Sequence, residues 1–356
     1  MEKIKKLKKL LKKEKIDGYL IPKNDEFFGE YVSKQNDRLK YITNFSGSFG
    51  LSLVLMNKNY LFVDGRYTLQ AINQSGKNFK ILTLPKKMPF NVVKDKKLLI
   101  GYDPKIFTRK NLNIFFGKKT YLLKPLNNNL IDKIWKRKPQ KNKYNFYTLP
   151  NQSVGSSYSS KIKSVLTNLK KNNADFQLIT ASENCAWLLN IRGKDSRYSP
   201  IPNCYILIDK FENIKFFCNL KKLSLSFKKS FKKIEFLEIK LIEKVLSKIQ
   251  KKKFILDQNS CSYYLEKIIL RNNKILDLND PIYDLKAIKT KKEIKNIEKA
   301  HIFDGVALTK YLFWIKKNFD RKKITEISAS NKLYELRKKN KKFKFLSFPT
   351  ISGTGP

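Results

Sequence analysis

At 356 residues the chain has room for two domains and part of a third, since domains run to roughly 100–200 residues. Hydrophobic residues make up 41 %, including 25 Phe and 17 Tyr, and this composition excludes intrinsic disorder. The formal net charge is +46, from 76 Lys+Arg against 30 Asp+Glu; the excess is mostly Lys, spread with Asn and Ile over the whole chain. That pattern suits drift at tolerant surface positions. A dedicated nucleic-acid surface would cluster its charge and favour Arg for bidentate contacts. No apolar run approaches ~18 residues, so no membrane span is expected, and the default location is the cytoplasm. Cys185, Cys204, Cys218 and Cys261 are far apart in apolar segments and read as buried free thiols.

The spacing of Ile4, Leu7, Leu10 and Leu11 predicts an amphipathic helix at the N-terminus. A strand at Gly18–Ile21 stops at Pro22, and a helix is expected around Glu26–Ser33. Leu39–Phe45 runs into a Gly-rich turn at Ser46–Gly50. A hairpin follows, Leu51–Met56 and Tyr60–Val63. After Asp64-Gly65-Arg66-Tyr67 the period becomes helical, then Leu98–Ile100 reads as a strand and Thr108–Phe116 as a helix. The polar stretch Lys136–Tyr147 and the following Pro150 and Ser153–Ser160 mark a linker.

The order then repeats. Ser159–Lys171 reads as a helix, Asp175–Ile179 as a strand, and Ser182–Leu189 as a helix capped by Ser182. Trp187–Gly193 takes the place of Tyr41–Gly47. A hairpin pairs Tyr205–Ile208 with Ile214–Cys218, Phe254–Asp257 reads as a strand, and a helix starts near Ser262. Two related α/β domains, each a mixed sheet flanked by helices, are the expected architecture. Their limits fall at 1–145 and 150–288.

A third region, 291–356, opens with one long helical pattern, Glu293–Asn318. Its inward candidates are Ile294, Ile297, Ala300, His301, Val306, Leu308 and Leu312. A second helix, capped by Thr325, runs to about Lys339, and with no other partner in view the two are expected to bury against each other while leaving apolar surface exposed. Phe345–Phe348 reads as a strand and Thr350–Pro356 as a Gly-rich loop, the entry to a domain whose remainder is not present.

Chemistry-bearing motifs are few. The chain has one histidine, His301, with Asp304 three residues on, and nothing nearby completes a metal site. GxSxG, HExxH, Walker A and strand-anchored GxGxxG patterns are absent. The turn Ser46–Gly50 is too weak a signal for phosphate binding. Arg66 is the one candidate site residue. It stands where a strand gives way to a helix, a place from which a guanidinium can dock a carboxylate or peptide group. The competing reading is a local ion pair with Asp64.

Seven stretches, in order along the chain, carry a family resemblance. They are YLIPKNDEFFGEYV at 19–32, ITNFSGSFG at 42–50, VDGRYTLQA at 63–71, LIDKIWKRKP at 130–139, AWLLNIRGKD at 186–195, AHIFDGVAL at 300–308 and LSFPTISGTGP at 346–356. Together they resemble aminopeptidase P, the Xaa-Pro aminopeptidases of the creatinase/prolidase "pita-bread" metallopeptidases. The resemblance implies two creatinase-like α/β domains followed by the first helices of a truncated pita-bread domain. It implies a parent enzyme that removes an N-terminal residue preceding proline, using a hydroxide held by two divalent metal ions, commonly manganese. It implies peptides with proline at the second position as substrates and a homodimer at full length, with no specific nucleic acid and no membrane as partners. None of the family's metal ligands or catalytic residues maps onto this sequence, so the chain by itself is expected to be inactive. Arg66 matches the arginine of the family's Asp-Gly-Arg-Tyr motif, which resembles a substrate contact. A non-catalytic module that binds a peptide or partner, and a basic nucleic-acid binder, are the competing functions.

Overall fold

The structure, a computed structural model, describes residues 2–93, 97–117, 122–137, 145–320 and 324–353. In the first domain the order is α1 (Glu2–Glu14), β1 (Gly18–Pro22), α2 (Arg38–Thr43), β2 (Leu51–Leu55), β3 (Asn59–Val63), α3 (Thr68–Ser75), β4 (Lys80–Thr83), α4 (Pro89–Val93), β5 (Ile100–Tyr102), α5 (Arg109–Phe116), β6 (Leu123–Pro125) and α6 (Leu130–Ile134). The second runs β7 (Tyr147–Thr148), α7 (Asn151–Val154), α8 (Tyr158–Lys171), β8 (Phe176–Ile179), α9 (Ser182–Leu188), β9 (Ile191–Arg192), β10 (Tyr205–Asp209), β11 (Ile214–Cys218), α10 (Leu225–Lys229), β12 (Ile234–Glu238), α11 (Ile242–Ser247), β13 (Lys253–Leu256), α12 (Tyr263–Leu270), β14 (Lys274–Asp277) and α13 (Ile282–Ala287). The third region supplies α14 (Lys291–Asn318) and α15 (Glu326–Lys338).

The internal repeat is realised strand for strand. One sheet has the order β4-β3-β2-β1-β5-β6 and the other β12-β11-β10-β8-β13-β14. In both, the central strand pairs antiparallel with the hairpin on one side and parallel with the next strand on the other. Strands β1 and β2 are buried at every residue because helices cover both faces, so they read as continuous apolar runs. Helix α1 contributes Ile4, Leu7 and Leu11 to one of these cores. In the two six-stranded sheets the strands that the sequence reading leaves out, β4, β6, β12 and β14, are all edges; it also leaves out the separate pair β7 and β9. Each edge strand is short, partly exposed and interrupted by Lys, Glu, Asp or Pro, which blunts an edge against pairing with another chain.

Several expectations are corrected. No helix forms over Glu26–Ser33: Asp25 Oδ1 accepts the Phe27 amide at 3.1 Å, and Phe28 takes a left-handed φ of 53°, which breaks a helical path. Ser182 does not cap α9; Ala181 occupies that position, and the Ser182 hydroxyl donates to the Cys204 carbonyl at 3.5 Å. Within the linker, residues 138–144 lie outside the described residues, whereas Tyr147–Thr148 pair with Ile191–Arg192 and so belong to the second domain. Phe345–Phe348 form no strand, and residues 354–356 lie outside the described residues. All four cysteines are free and buried, as expected.

Helices α14 and α15 start at capping boxes, Thr290 with Glu293 and Thr325 with Ser328. They meet through buried Ala307 and Ala329 and through Arg337, which donates to both Asp304 oxygens at 2.6 and 2.9 Å. The inward candidates on α14 do not point inward. Ile294, Ile297, Val306, Leu308 and Leu312 are exposed, as is His301. The first turn of α14 instead leans on α7, where Asn296 donates to the Gln152 carbonyl at 3.2 Å. Gly155, at φ +68°, lies so close that an added Cβ would stand 2.4 Å from Thr290 Oγ1.

The repeat extends to polar detail. Just beyond β5 the carboxylate of Asp103 accepts from the Lys105 amide and from Asn129 Nδ2, both at 2.9 Å. Just beyond β13 Asp257 accepts from the Asn259 amide at 2.8 Å and from the Asp280 amide at 3.1 Å. Asp280 is itself buried, accepting from Asn184 at 2.7 Å and Gln177 at 3.0 Å. Burial, reinforced by the Asp257 charge, pushes its carboxyl up to about 6 against these hydrogen bonds. A carboxyl raised in the folded state favours folding fully below its unfolded range, and that contribution is lost as pH rises through the folded pKa. Urea unfolding from pH 4 to 7 should therefore show wild type losing up to about 3 kcal/mol relative to Asp280→Asn as pH rises through this window. A constant difference between the two proteins would remove Asp280 as the titrating group.

Candidate functional site

Arg66 stands at the end of β3, where Asp64 Oδ1 accepts the Arg66 amide at 3.0 Å and caps a single 3-10 turn, Gly65–Tyr67, leading into α3. The side chain is 74 % exposed. Its Nε and Nη2 donate to Asp64 at 3.2 and 2.7 Å, so the local ion pair does form. Those hydrogen bonds hold the Asp64 carboxyl below its ordinary range. The guanidinium also lies over the Tyr67 ring, 5.3 Å from its centre. Only one edge of the fork is used, and Nη1 has no hydrogen-bond partner among the described residues.

The Gly-rich turn serves this corner. Ser48 Oγ and Tyr67 Oη share a hydrogen bond of 2.7 Å, and Tyr67 packs edge-on against Phe45 at 5.7 Å. The Ser46 amide donates to Gln74 Oε1 at 2.8 Å, fastening the turn to α3. The corner is thus braced from two sides, and the exposed guanidinium sits on a fixed base.

A second arginine escaped the sequence reading. Arg38, only 3 % exposed, donates through Nε and Nη2 to Asp132 at 2.8 and 3.0 Å and through Nη2 to Glu26 at 2.7 Å. Asp132 also pairs with Arg137. Arg38, Glu26 and Asp132, with Asp103 and Asn129, line a polar cavity of about 500 Å³ at the carboxyl ends of β5 and β6, the usual ligand position in an open α/β sheet. Burial pushes the Asp103 carboxyl up. The partners of Arg38 lie 12 and 94 residues away in the sequence, and spacing does not reveal them.

The segment 23–36 runs from the Arg38 site to the second domain. Glu26 touches Arg38, the Glu26 carbonyl accepts from Tyr205 Oη, and Phe27 stacks on Tyr205 at 5.3 Å. The other joint between the domains is made by equivalent residues. Thr108, the N-cap of α5, bridges Ser262, the N-cap of α12, and Arg109 Nε donates to Glu266 Oε1 at 2.6 Å.

The His301/Asp304 pair is not a ligand set, because Asp304 is committed to Arg337 and His301 is exposed. Among the described residues no group of three or more His, Cys, Asp or Glu stands ready to hold a metal ion, so these residues do not fit a two-metal centre. Burial raises the thiols of Cys204 and Cys261 and pushes Cys218 up to about 12, which disfavours the reactive thiolate at these three.

The two arginines should separate in mutagenesis. Arg38→Met strips a buried cation from two carboxylates and should cost about 3 kcal/mol in urea unfolding. Arg66→Met removes an exposed pair and should change stability by less than about 1 kcal/mol. Equal costs would contradict the division into a structural and a presented arginine.

The chain is similar to known proteins over almost its entire length. The Creatinase/Prolidase N-terminal domain matches twice, at residues 3–115 and 137–293. A protein of Paracoccidioides lutzii named "Probable Xaa-Pro aminopeptidase P" is 31 % identical over 98 % of this chain and 61 % of its own length. One of the same name from Laccaria bicolor is 30 % identical over all of this chain and 58 % of its own. The crystal structure of X-prolyl aminopeptidase from Caenorhabditis elegans, described as a cytosolic enzyme with a di-nuclear active site, superposes with a TM-score of 0.90 at 26 % identity. That likeness covers 99 % of this chain and 62 % of the worm protein. The chain therefore spans about three fifths of these relatives, and a match over 98–100 % of it lends no support to the expectation that it is inactive. No helix among the described residues is long and apolar enough to cross a membrane. Two domain matches that together take in more than half the sequence, and a superposition that takes in nearly all of it, place the chain in the creatinase/prolidase family.

Proposed function

We propose that this chain works in an Xaa-Pro aminopeptidase, hydrolysing the bond between an N-terminal residue and a following proline. The superposition on the C. elegans enzyme over 99 % of the chain is the observation that carries this reading. The paired α/β domains are the substrate-facing part. Arg66 is the residue in them that meets the peptide, offering the unused edge of a guanidinium whose other edge is pinned by Asp64. Residues 291–356 are the start of a pita-bread catalytic domain. Two divalent metal ions, manganese by the family's habit, a homodimer and a cytosolic location complete the proposal. The peptide-bond chemistry belongs to residues other than the described ones, which do not fit a two-metal centre.

Paired peptides test the proposal. The chain is incubated with manganese and either Lys-Pro-Phe or Lys-Ala-Phe, release of the first residue is followed by mass spectrometry, and affinity is measured by calorimetry. Proline-selective binding without release is the expected result, because the described residues do not fit a two-metal centre. Release by this chain would instead place the chemistry within it and exclude the competing non-catalytic peptide-binding module. Failure to distinguish the two peptides in either assay would overturn both readings.

A further inference from the structure

The Arg-Tyr step occurs at Arg66-Tyr67 in the first domain and again at Arg197-Tyr198 in the second. In each the guanidinium lies over its own neighbour's ring, at 5.3 and 4.8 Å from the ring centre. Tyr31, from the segment 23–36, stands between them. It packs edge-on against Tyr198 at 5.2 Å, across the boundary between the domains. Burial raises its phenol, and Glu30, Tyr198 and Tyr67 raise it further. The three tyrosines are half-buried, while Arg66 and Arg197 are exposed. Tyr31 and Tyr198 make a two-ring aromatic floor, with the Arg197 guanidinium at the Tyr198 end and Arg66 stacked on Tyr67 on the first-domain side.

The Tyr198 end is built at a conformational cost. Tyr198 has φ +65°, a left-handed conformation that bulky L-residues avoid. The loop holds it there by three rungs: Gly193 N to Pro200 O at 3.0 Å, Asp195 N to Ile201 O at 3.2 Å, and Asn203 N to Asp195 Oδ2 at 2.8 Å. At Gly193 a Cβ would stand 2.8 Å from Pro202 Cα, so the loop can close only on glycine. Asp195 is turned inward to Lys222.

Charge differs between the two ends. Arg66 is balanced by Asp64 and lies near Glu30. Arg197 has no ion pair among the described residues. The anionic C-terminus of an extended peptide on this floor would find its cationic complement at Arg197.

We infer that Tyr31, Tyr198 and Arg197 bind the part of the peptide substrate that follows the proline, with side chains on the tyrosine faces and the terminal carboxylate on Arg197. This rests on the Xaa-Pro aminopeptidase reading and deepens it: the second domain selects peptides by length and by a free C-terminus.

Calorimetry on the full chain tests it with the dipeptide Lys-Pro, the pentapeptide Lys-Pro-Phe-Ala-Phe, and that pentapeptide amidated at its C-terminus. Wild type should bind the free-acid pentapeptide most tightly. Tyr198→Ala and Arg197→Gln should each weaken it by about five- to tenfold while leaving the dipeptide within about twofold. Arg197→Gln should also erase the difference between acid and amide. Tyr198→Phe, which keeps the ring, should behave as wild type, and it guards against misfolding of the alanine variant together with a melting curve for each protein. The inference is overturned by equal losses on dipeptide and pentapeptide, by no loss, or by a wild type blind to length and C-terminus. Replacing proline by alanine in the pentapeptide reads the proposed function separately. A retained carboxylate effect with no proline preference would sink the aminopeptidase reading and leave the floor standing.

Discussion

Each domain depends on a buried aspartate placed one residue beyond the end of its second parallel strand. Asp103 and Asp257 leave the sheet where backbone amides would otherwise lack partners, and each carboxylate answers two of them or their side-chain equivalents. One oxygen shapes the turn toward the next helix. The other reaches across to the element that closes the sheet on its far side, at Asn129 or at Asp280. Removing either carboxylate would free the turn and the closing segment together, because both hang on the same group.

The same turns make the joint between the domains. Five residues after each aspartate comes a cap, Thr108 or Ser262, and these two caps pair with each other. Contact between equivalent residues is the signature of a two-fold relation, here inside one chain. Tyr263 N donating to Phe107 O at 2.7 Å and the Arg109–Glu266 pair extend it. The joint fixes how the loop carrying Tyr198 faces the segment carrying Tyr31. The contact between Tyr31 and Tyr198 thereby rests on a fixed base, although both residues are on loops.

Legibility in the sequence followed the source of each element's stability. Helices and central strands that bury apolar faces announced themselves by period, and the two hairpins came out almost to the residue. Edge strands such as β6, with only Leu123–Pro125, were invisible because their residues are mixed and their partner supplies the order. The failure at Glu26–Ser33 has another cause. Its helical composition is overruled by an Asx turn at Asp25 and by contacts with Tyr205 more than 170 residues away. Arg66 was legible through its strand-to-helix position. Tyr198 was not, since neither its left-handed backbone nor its pairing with Tyr31 leaves any local mark.

Helices α14 and α15 show how an element can be specified without a core. Their limits were nearly read from sequence because the signals are local: a capping box at each start and basic residues in each last turn. What could not be read was direction. A helix of 28 residues with apolar groups on several sides has no single face to bury, and its helical moment cannot choose one. The choice falls to the few contacts that hold its start, Thr290 against Gly155 and Asn296 against the α7 carbonyls, and to the Arg337–Asp304 fork. Those contacts orient α14 from the second domain, so the same domain that presents Tyr198 also sets where the third region begins.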